Sequence, residues 1–267
     1  RSLVFSSRKI IVFFLFVLIL VTSIGMVAAM GQMFYSLSIA MGILITFGSY
    51  MKKETSLEDS TRNVEVFDTA IAIMAGLMII PAVFAFSGGD PDTLQAGPAL
   101  MFITIPKVFE NMGFGTVVGI LFFLLVLFAA VTSSIALTES AVSTFEDELG
   151  WSRRRATVLV GVIMIALGSL SSLGYGPLVG IKIIGMQFLD FFDFLTNSVM
   201  MPIAAMLTSL FVSRIVGMKR MEEEIMHGES TFRRKKIFIV MIKYLCPVFA
   251  LIILISSVAN AFGWIAM

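Results

Sequence analysis

Oxygen-bearing side chains interrupt an apolar stretch of this sequence at the run AAVTSSIA (Ala129–Ala136). On a helix, Ala129, Thr132 and Ser133 share one face, because they are three and four residues apart. The Ala129 carbonyl and the two hydroxyls could therefore point at one spot, and such neutral oxygens suit a hard monovalent cation. In the alternative, Ser133 only donates a hydrogen bond to the Ala129 carbonyl of its own helix.

Carboxylates lie in two further apolar stretches. Asp68 falls in the first turn, close to headgroups, if its helix begins at Glu65. It falls nearer the midplane, where carboxylates are usually functional, if the helix begins several turns earlier. Asp190 and Asp193 lie one helical turn apart near the outer end of their stretch. Interfacial solvation and a gate or cation partner on the outer side both fit this pair.

The central stretch is Gly31–Tyr50, which is apolar but broken at its middle by Ser36, Ser38, Ala40 and Gly42. Small and hydroxylated residues this closely spaced weaken a helix, because side chains compete for backbone hydrogen bonds and glycine adds entropy cost. Broken helices at the midplane are where transporters bind substrates and ions. The alternative is that the small residues only allow close packing between helices.

The composition places these residues in a membrane. Hydrophobic residues are 58% of the 267 residues, charged residues are 14%, and the mean hydropathy is +0.99, whereas soluble domains are about a quarter charged. The single Cys246 excludes a disulfide within the chain, and the single His227 lies in a charged stretch, so neither supports metal or nucleophilic catalysis. An intramembrane enzyme using Asp190 and Asp193 as an acid pair ranks far behind. We expect no enzyme and no nucleic-acid partner.

The fold class that follows is an all-α polytopic membrane protein with about seven transmembrane segments. The apolar stretches lie at about 8–21, 26–51, 64–86, 116–145, 157–173, 187–216 and 237–264. A shorter stretch, 99–109, would be re-entrant or lie over the surface. Basic residues concentrate in alternate loops, which predicts that the loop 52–63 is cytoplasmic.

Four ordered motifs resemble the neurotransmitter:sodium symporter family, specifically its bacterial amino-acid transporters. GQMFYSLSIAMG resembles the family's unwound sixth helix and FDTAIAIMAGLMIIPAVFAF its seventh. FAAVTSSIALTESAVSTFEDEL resembles the eighth helix and DFFDF the start of the tenth. Order, spacing and loop sizes agree from about Met26 to the end of the sequence.

The resemblance implies roles for individual residues. The implied substrate contacts are Tyr35, Ser36, Ser38, Met41, Ser133 and Leu137. The implied sodium ligands are Ser36 and Asp68 for a first ion, and Ala129, Thr132 and Ser133 for a second. Asp193 matches the acidic half of the outer gate, whereas Gln32 and Asp68 match the neighbourhood of an anion site. An acid at position 68 resembles the chloride-independent bacterial members, so we expect sodium ions and no chloride requirement.

The sequence departs from the family at its beginning. The family fold has two inverted five-helix repeats, and the first repeat is largely missing here. Residues 1–25 would hold one transmembrane helix of uncertain origin, such as a remnant of the fifth, and residues 26–267 the sixth to eleventh helices. Arg1 and the missing repeat predict a truncated portion of the protein.

The implied function is sodium-coupled transport of a hydrophobic or aromatic amino acid by alternating access in the bacterial inner membrane. This truncated portion would be inactive alone. The alternative is a non-transporting membrane protein that acts as an assembly or regulatory partner. The expected partners are the amino acid and the lipid bilayer, and a homodimer is compatible with the sequence.

Overall fold

In the computed structural model, residues 25–86, 97–227 and 231–264 can be described. These residues are almost entirely helical, and the one extended pairing among them is an isolated bridge between Ile183 and Met186. The predicted first span, 8–21, lies outside the described residues, as does most of the turn-rich loop 87–98. The all-helical class predicted from composition is confirmed.

The predicted interruption near residue 40 is present. Helix α1 covers residues 25–36, a non-helical turn follows, and α2 runs over Ile43–Ser49. The central stretch is therefore not one continuous helix, and close packing at Gly42 accompanies the interruption.

Five helical stretches within the described ranges are long and apolar enough to cross a membrane. They are α3, Leu57–Phe86; α5, Gly115–Leu149; α6, Arg153–Leu173; the stretch Phe188–Val216, which contains α7, Phe188–Asp193, and α8, Met201–Phe211; and the stretch Lys235–Ala261, which contains α10, Lys235–Val240, and α11, Cys246–Ala261. The shorter helices are α4, Ile105–Glu110, and α9, Met218–Ile225. With the interrupted helix, these account for all but the first of the about seven predicted segments, and that first span lies outside the described residues.

Two helices extend beyond the apolar stretches that predicted them. Helix α3 begins at Leu57 rather than near Val64, because Ser56 followed by Glu58 and Asp59 places a cap residue and acidic side chains where a helix N-terminus favours them. Helix α5 continues past Phe145 through the acidic cluster. It ends only at Gly150, whose φ of +62° is left-handed.

Prolines account for most of the irregularity in the long helices. Three π-helical segments each end two residues before a proline: Leu100–Thr104 before Pro106, Phe194–Met200 before Pro202, and Met241–Leu245 before Pro247. A proline lacks an N–H, and its ring collides with the carbonyl four residues earlier, so a helix widened to five-residue bonding accommodates it. The fourth π-helical segment in the described ranges, Val212–Val216, ends at Gly217 with φ +86°.

In one of these π-helical segments, a carbonyl without a backbone donor accepts a hydrogen bond from a neighbouring helix. The Cys246 amide donates to the Met241 carbonyl, so the next bond in the same register would run from residue 247 to Ile242. Residue 247 is proline, and the buried Ser209 hydroxyl on α8 donates to the Ile242 carbonyl instead, at 2.5 Å. Ser209 thus links α8 to the stretch Lys235–Ala261 beside Pro247.

Replacing Ser209 with alanine is expected to lower the free energy of unfolding by about 1 kcal/mol, because the Ile242 carbonyl loses its donor. Thermal unfolding in detergent measures this change. Ser171→Ala is the matched control, since the exposed Ser171 hydroxyl donates to the Leu167 carbonyl of its own helix at 2.9 Å. Equal melting temperatures for Ser209→Ala and the wild type would contradict the role given to Ser209.

The contacts divide the chain into two compact units. The first unit comprises residues 1–58 and 140–267, and the second comprises residues 59–139. In the first unit, Val142 packs on Ala156 and Val160, and the buried residues Ala250 and Ile253 belong to α11. In the second unit, α4 packs on the start of α5, where a Cβ at Gly115 would lie 1.6 Å from the Phe109 carbonyl oxygen.

Candidate functional site

The interruption is a turn of alternating left-handed residues. Ser38, Ala40 and Gly42 have φ angles of +54°, +63° and +81°. Side chains avoid this region, because Cβ approaches the following carbonyl oxygen, at a cost of roughly 1–2 kcal/mol for each non-glycine residue. Backbone strain of this kind is concentrated at binding and active sites, and the surrounding structure must maintain it.

The turn leaves backbone polar groups without helical partners. The Ile39 amide donates to the Phe34 carbonyl at 3.0 Å, and the Met41 amide reaches the Ser38 carbonyl only at 3.4 Å. Among the residues that the structure describes, the carbonyls of Leu37 and Ile39 accept no hydrogen bond and the Ala40 amide donates none. Inside a membrane such groups are tolerated where protein, water or a ligand surrounds them, so this turn is suited to binding a polar ligand.

The predicted pocket residues of the first unit lie at this turn. Tyr35 is half exposed and, with Ser36, lies in the last turn of α1; Ser38 and Met41 belong to the non-helical segment. Gln32 lies one turn earlier on α1 and is exposed. The structure therefore places hydroxyls, an aromatic ring and a flexible apolar side chain along one short segment.

The strain at Ala40 predicts an unusual response to glycine. Ala40→Gly relieves roughly 1–2 kcal/mol of left-handed strain, while the greater backbone freedom of glycine offsets roughly 0.5–1 kcal/mol. We expect a small gain in the free energy of unfolding, about 0.5 kcal/mol by this difference. Chemical denaturation measures it, with Ala166→Gly in the exposed face of α6 as the control.

That control should cost about 1 kcal/mol, as expected for glycine inside a helix. A loss of similar size in Ala40→Gly would contradict the strained geometry.

The oxygen cluster on α5 belongs to the second unit. The Thr132 hydroxyl donates to the Ala129 carbonyl at 2.9 Å, and the neighbouring Ser134 hydroxyl donates to the Val131 carbonyl at 2.9 Å. Ser133 makes no side-chain hydrogen bond to any described residue, so the alternative in which it donates to Ala129 is wrong. Its exposed hydroxyl remains available to a ligand. Leu137, one turn further along α5, is also exposed.

The alternatives for Asp68 are now decided by the start of its helix. Helix α3 begins at Leu57, so Asp68 lies about three turns inside it, roughly 16 Å from the first residue. Asp68 is half-buried. Asp68 is therefore not a first-turn residue; it follows the polar first turns of α3 and lies at the beginning of the apolar stretch 64–86.

The predicted gate residue lies at the end of α7. Asp193 is exposed, and one of its carboxylate oxygens accepts a hydrogen bond from the Asn197 amide at 2.5 Å. Asn197 was not predicted from the sequence, although an acid followed by an amide four residues later is a recognisable helical pair.

Tyr175 lies in the loop between α6 and α7. Partial burial and the nearby Asp190 carboxylate raise the pKa of its phenol.

Sequence reasoning also missed the contact that supports α2. Thr46 places its hydroxyl 3.2 Å from the Ser143 hydroxyl and 3.5 Å from the Ser140 hydroxyl. A Cβ at Gly42 would lie 2.7 Å from the Ser140 hydroxyl oxygen. These contacts join residues that are distant in sequence. The only sequence signal for them is that the residues are small, which allows two helices to approach closely.

Within the described ranges, no group of three or more His, Cys, Asp and Glu side chains could hold a metal ion. The oxygens predicted to bind a cation are mostly neutral carbonyls and hydroxyls. They fit a hard cation of low charge better than a transition metal, which favours imidazole and thiolate ligands.

Comparisons with known proteins agree with these observations. The model of the sodium:neurotransmitter symporter family matches residues 9–263. The chain is 33% identical to an uncharacterized sodium-dependent transporter of Haemophilus influenzae over 229 residues, covering 85% of this chain and 49% of that protein. It is 32% identical to the uncharacterized sodium-dependent transporter YhdH of Bacillus subtilis over 202 residues, covering 76% and 44%.

A solved structure is also similar. The crystal structure of MhsT in complex with L-phenylalanine superimposes with a TM-score of 0.77 at 37% sequence identity, covering 86% of this chain and 51% of that chain. The chain thus spans about half the length of these relatives.

Proposed function

The chain belongs to the sodium:neurotransmitter symporter family, and we propose that it supplies substrate- and sodium-binding elements of a sodium-coupled amino-acid transporter. The observation that carries this proposal is the left-handed turn between α1 and α2, whose Leu37 and Ile39 carbonyls have no hydrogen-bond partner among the described residues. These carbonyls can receive an ammonium group or a cation. Family membership and the membrane-spanning helices make the chain part of a multi-pass membrane protein.

The proposed substrate is a hydrophobic or aromatic amino acid. The backbone near Ser36 and Ser38 receives its ammonium group, and the Tyr35 ring covers it. Met41 supplies a flexible apolar surface that adapts to a large side chain. Ser133 and Leu137 on α5 contribute further contacts. The phenylalanine complex of MhsT supports an aromatic substrate, because the two chains are 37% identical.

The proposed ions are sodium. The Ala129 carbonyl and the hydroxyls of Thr132 and Ser133 offer three oxygens within one turn of α5, which suits a hard cation. Ser36 offers a hydroxyl in the last turn of α1, and Asp68 supplies the one carboxylate of the proposed ligand set. Because an acid stands at position 68, as in the chloride-independent bacterial members that the sequence resembles, we propose that the transporter does not require chloride.

Transport follows from binding if the two states of the protein differ in affinity. Bound sodium and substrate shift the equilibrium between the outward-facing and inward-facing states only if they bind one state more tightly than the other. In the alternating-access mechanism, sodium and substrate bind together at a helix interruption, and this shared site gives the two states different affinities. Asp193, held by Asn197, forms the acidic half of an outer gate, and the loop 52–63 faces the cytoplasm.

The proposed organisation follows the family pattern. Residues 26–267 correspond to the sixth to eleventh helices and residues 1–25 to a preceding helix. Because the chain spans about half the length of its relatives, we propose that these 267 residues do not transport alone. The protein is not an enzyme, resides in the bacterial inner membrane, and is compatible with a homodimer.

Uptake into proteoliposomes tests the function. The protein, expressed at the full length that its gene encodes, should accumulate labelled L-phenylalanine when sodium is high outside. A choline gradient should give none. Accumulation in neither gradient, from protein shown to be folded and correctly inserted, would reject transport and favour an assembly or regulatory role.

A further inference from the structure

Helix α2 contacts a cluster of hydroxyl groups in the C-terminal part of α5. The Thr46 hydroxyl lies 3.2 Å from the Ser143 hydroxyl and donates to the Ser140 hydroxyl at 3.5 Å. All three residues belong to the first unit. The contact joins the second half of the interrupted helix to a helix far away in the sequence.

Ser140 is the fixed member of this cluster. It is 6% exposed, and its backbone carbonyl accepts hydrogen bonds from the hydroxyls of Ser143 at 3.1 Å and Thr144 at 2.8 Å. A buried residue held by its own helix cannot move aside easily. Its position therefore constrains whatever packs against it.

Gly42 packs directly against Ser140. A Cβ at Gly42 would come within 2.7 Å of the Ser140 hydroxyl oxygen, closer than side chains normally approach. Gly42 is also the last residue of the left-handed turn, immediately after Met41. The end of the turn is consequently fixed by contact with Ser140.

The first half of the turn is held by its own backbone, since the amides of residues 37–39 donate to carbonyls of α1 at 3.0 Å. The second half is held more weakly, because the Met41 amide reaches the Ser38 carbonyl only at 3.4 Å. The contacts at the end of the turn, at Gly42 and one turn later at Thr46, come from α5. The position of the second half of the turn thus depends on α5.

We propose that Ser140 is a positioning residue for substrate binding, which fixes Met41 and the backbone of the turn through Gly42 and Thr46. This inference rests on the proposed function of the turn. Ser140 itself does not contact the substrate. Removing its hydroxyl loosens the turn and weakens substrate binding while the helices stay folded.

Equilibrium binding of labelled L-phenylalanine, in saturating sodium, tests this role in the protein expressed at full length. Ser140→Ala should weaken binding roughly three- to tenfold, the equivalent of one hydrogen bond. Thr46→Val should do the same. Thr46→Val also removes the contact with the Ser143 hydroxyl at 3.2 Å. Because both variants remove the shared contact between Thr46 and Ser140, the loss of affinity in the double variant should be smaller than the product of the two single losses. Ser171→Ala, whose hydroxyl bonds only its own helix, should bind like the wild type.

Two further measurements separate positioning from general destabilisation. Thr46→Ser keeps the hydroxyl and should restore binding to within about twofold of the wild type, since the hydrogen bond is retained. The melting temperature of each variant should not follow its loss of affinity.

The outcomes distinguish the two proposals. If the wild type binds L-phenylalanine in sodium and Ser140→Ala binds it with the same affinity, the role of Ser140 is overturned and the proposed function stands. Additive losses in the double variant would also overturn it. A folded wild type that binds no hydrophobic amino acid in sodium would overturn both.

Discussion

Replacing Gly42 with alanine should weaken sodium-dependent amino-acid binding by roughly tenfold or more. Position 42 has φ +81° and ψ −23°, where a side chain costs roughly 1–2 kcal/mol. The new Cβ would also lie 2.7 Å from the Ser140 hydroxyl oxygen, so either the turn or α5 must shift. If the turn relieves the strain at position 42 by leaving the geometry that binds the substrate, binding is weakened about tenfold. The shift of the turn or of α5 weakens binding further.

Gly48→Ala is the matched control for this change. Gly48 belongs to the same helix, α2, and a Cβ there would meet nothing within 4 Å. Its binding should equal that of the wild type, and its helix should gain slightly from alanine. Binding by Gly42→Ala at wild-type affinity would show that the turn tolerates a side chain, contrary to its geometry.

Ser133→Ala is expected to raise the sodium concentration needed for half-maximal amino-acid binding roughly tenfold or more, because a neutral ligand to a charged partner is lost. The Ser133 hydroxyl is exposed and bonds no described residue, so its removal should not disturb α5. Sodium titration of L-phenylalanine binding measures the change. The melting temperature without sodium should stay the same.

The adjacent Ser134 provides the control for Ser133. Its hydroxyl donates to the Val131 carbonyl of its own helix at 2.9 Å. Ser134→Ala should leave the sodium dependence unchanged. If both variants shift sodium dependence equally, the effect belongs to the helix rather than to a specific ion ligand.

The interruption of the central helix could be predicted because its cause is local. Closely spaced serines, Ala40 and Gly42 weaken a helix by their own backbone preferences, and the structure places the turn where these residues stand. The spanning helices were predictable for a similar reason, since length and apolar composition suffice.

Other features depend on choices that local sequence does not determine. The prolines at positions 202 and 247 were evident, but whether a helix kinks, breaks or widens there depends on its neighbours. The bond from Ser209 to the Ile242 carbonyl exists because α8 packs on the stretch Lys235–Ala261, to which Ile242 belongs. The start of α3 at Leu57 was a missed local signal, because Ser56 with Glu58 and Asp59 forms a capping pattern inside a stretch interpreted as a loop.

The contact beneath the turn could not have been found from spacing. Thr46 and Ser140 are 94 positions apart, and neither residue type is unusual in a membrane helix. Helix packing alone brings them together. The roles proposed for Ser36, Ser38 and Asp68 follow from resemblance to the family.

The most direct test of the account is equilibrium binding of labelled L-phenylalanine to the purified protein at the full length that its gene encodes. Sodium is replaced by lithium or choline in parallel samples, and the 267-residue chain alone is measured beside them. We expect saturable binding in sodium, strongly reduced binding in choline, and no binding by the 267 residues alone. Binding that is equally strong in choline, or absent from folded protein in sodium, would contradict sodium-coupled amino-acid transport.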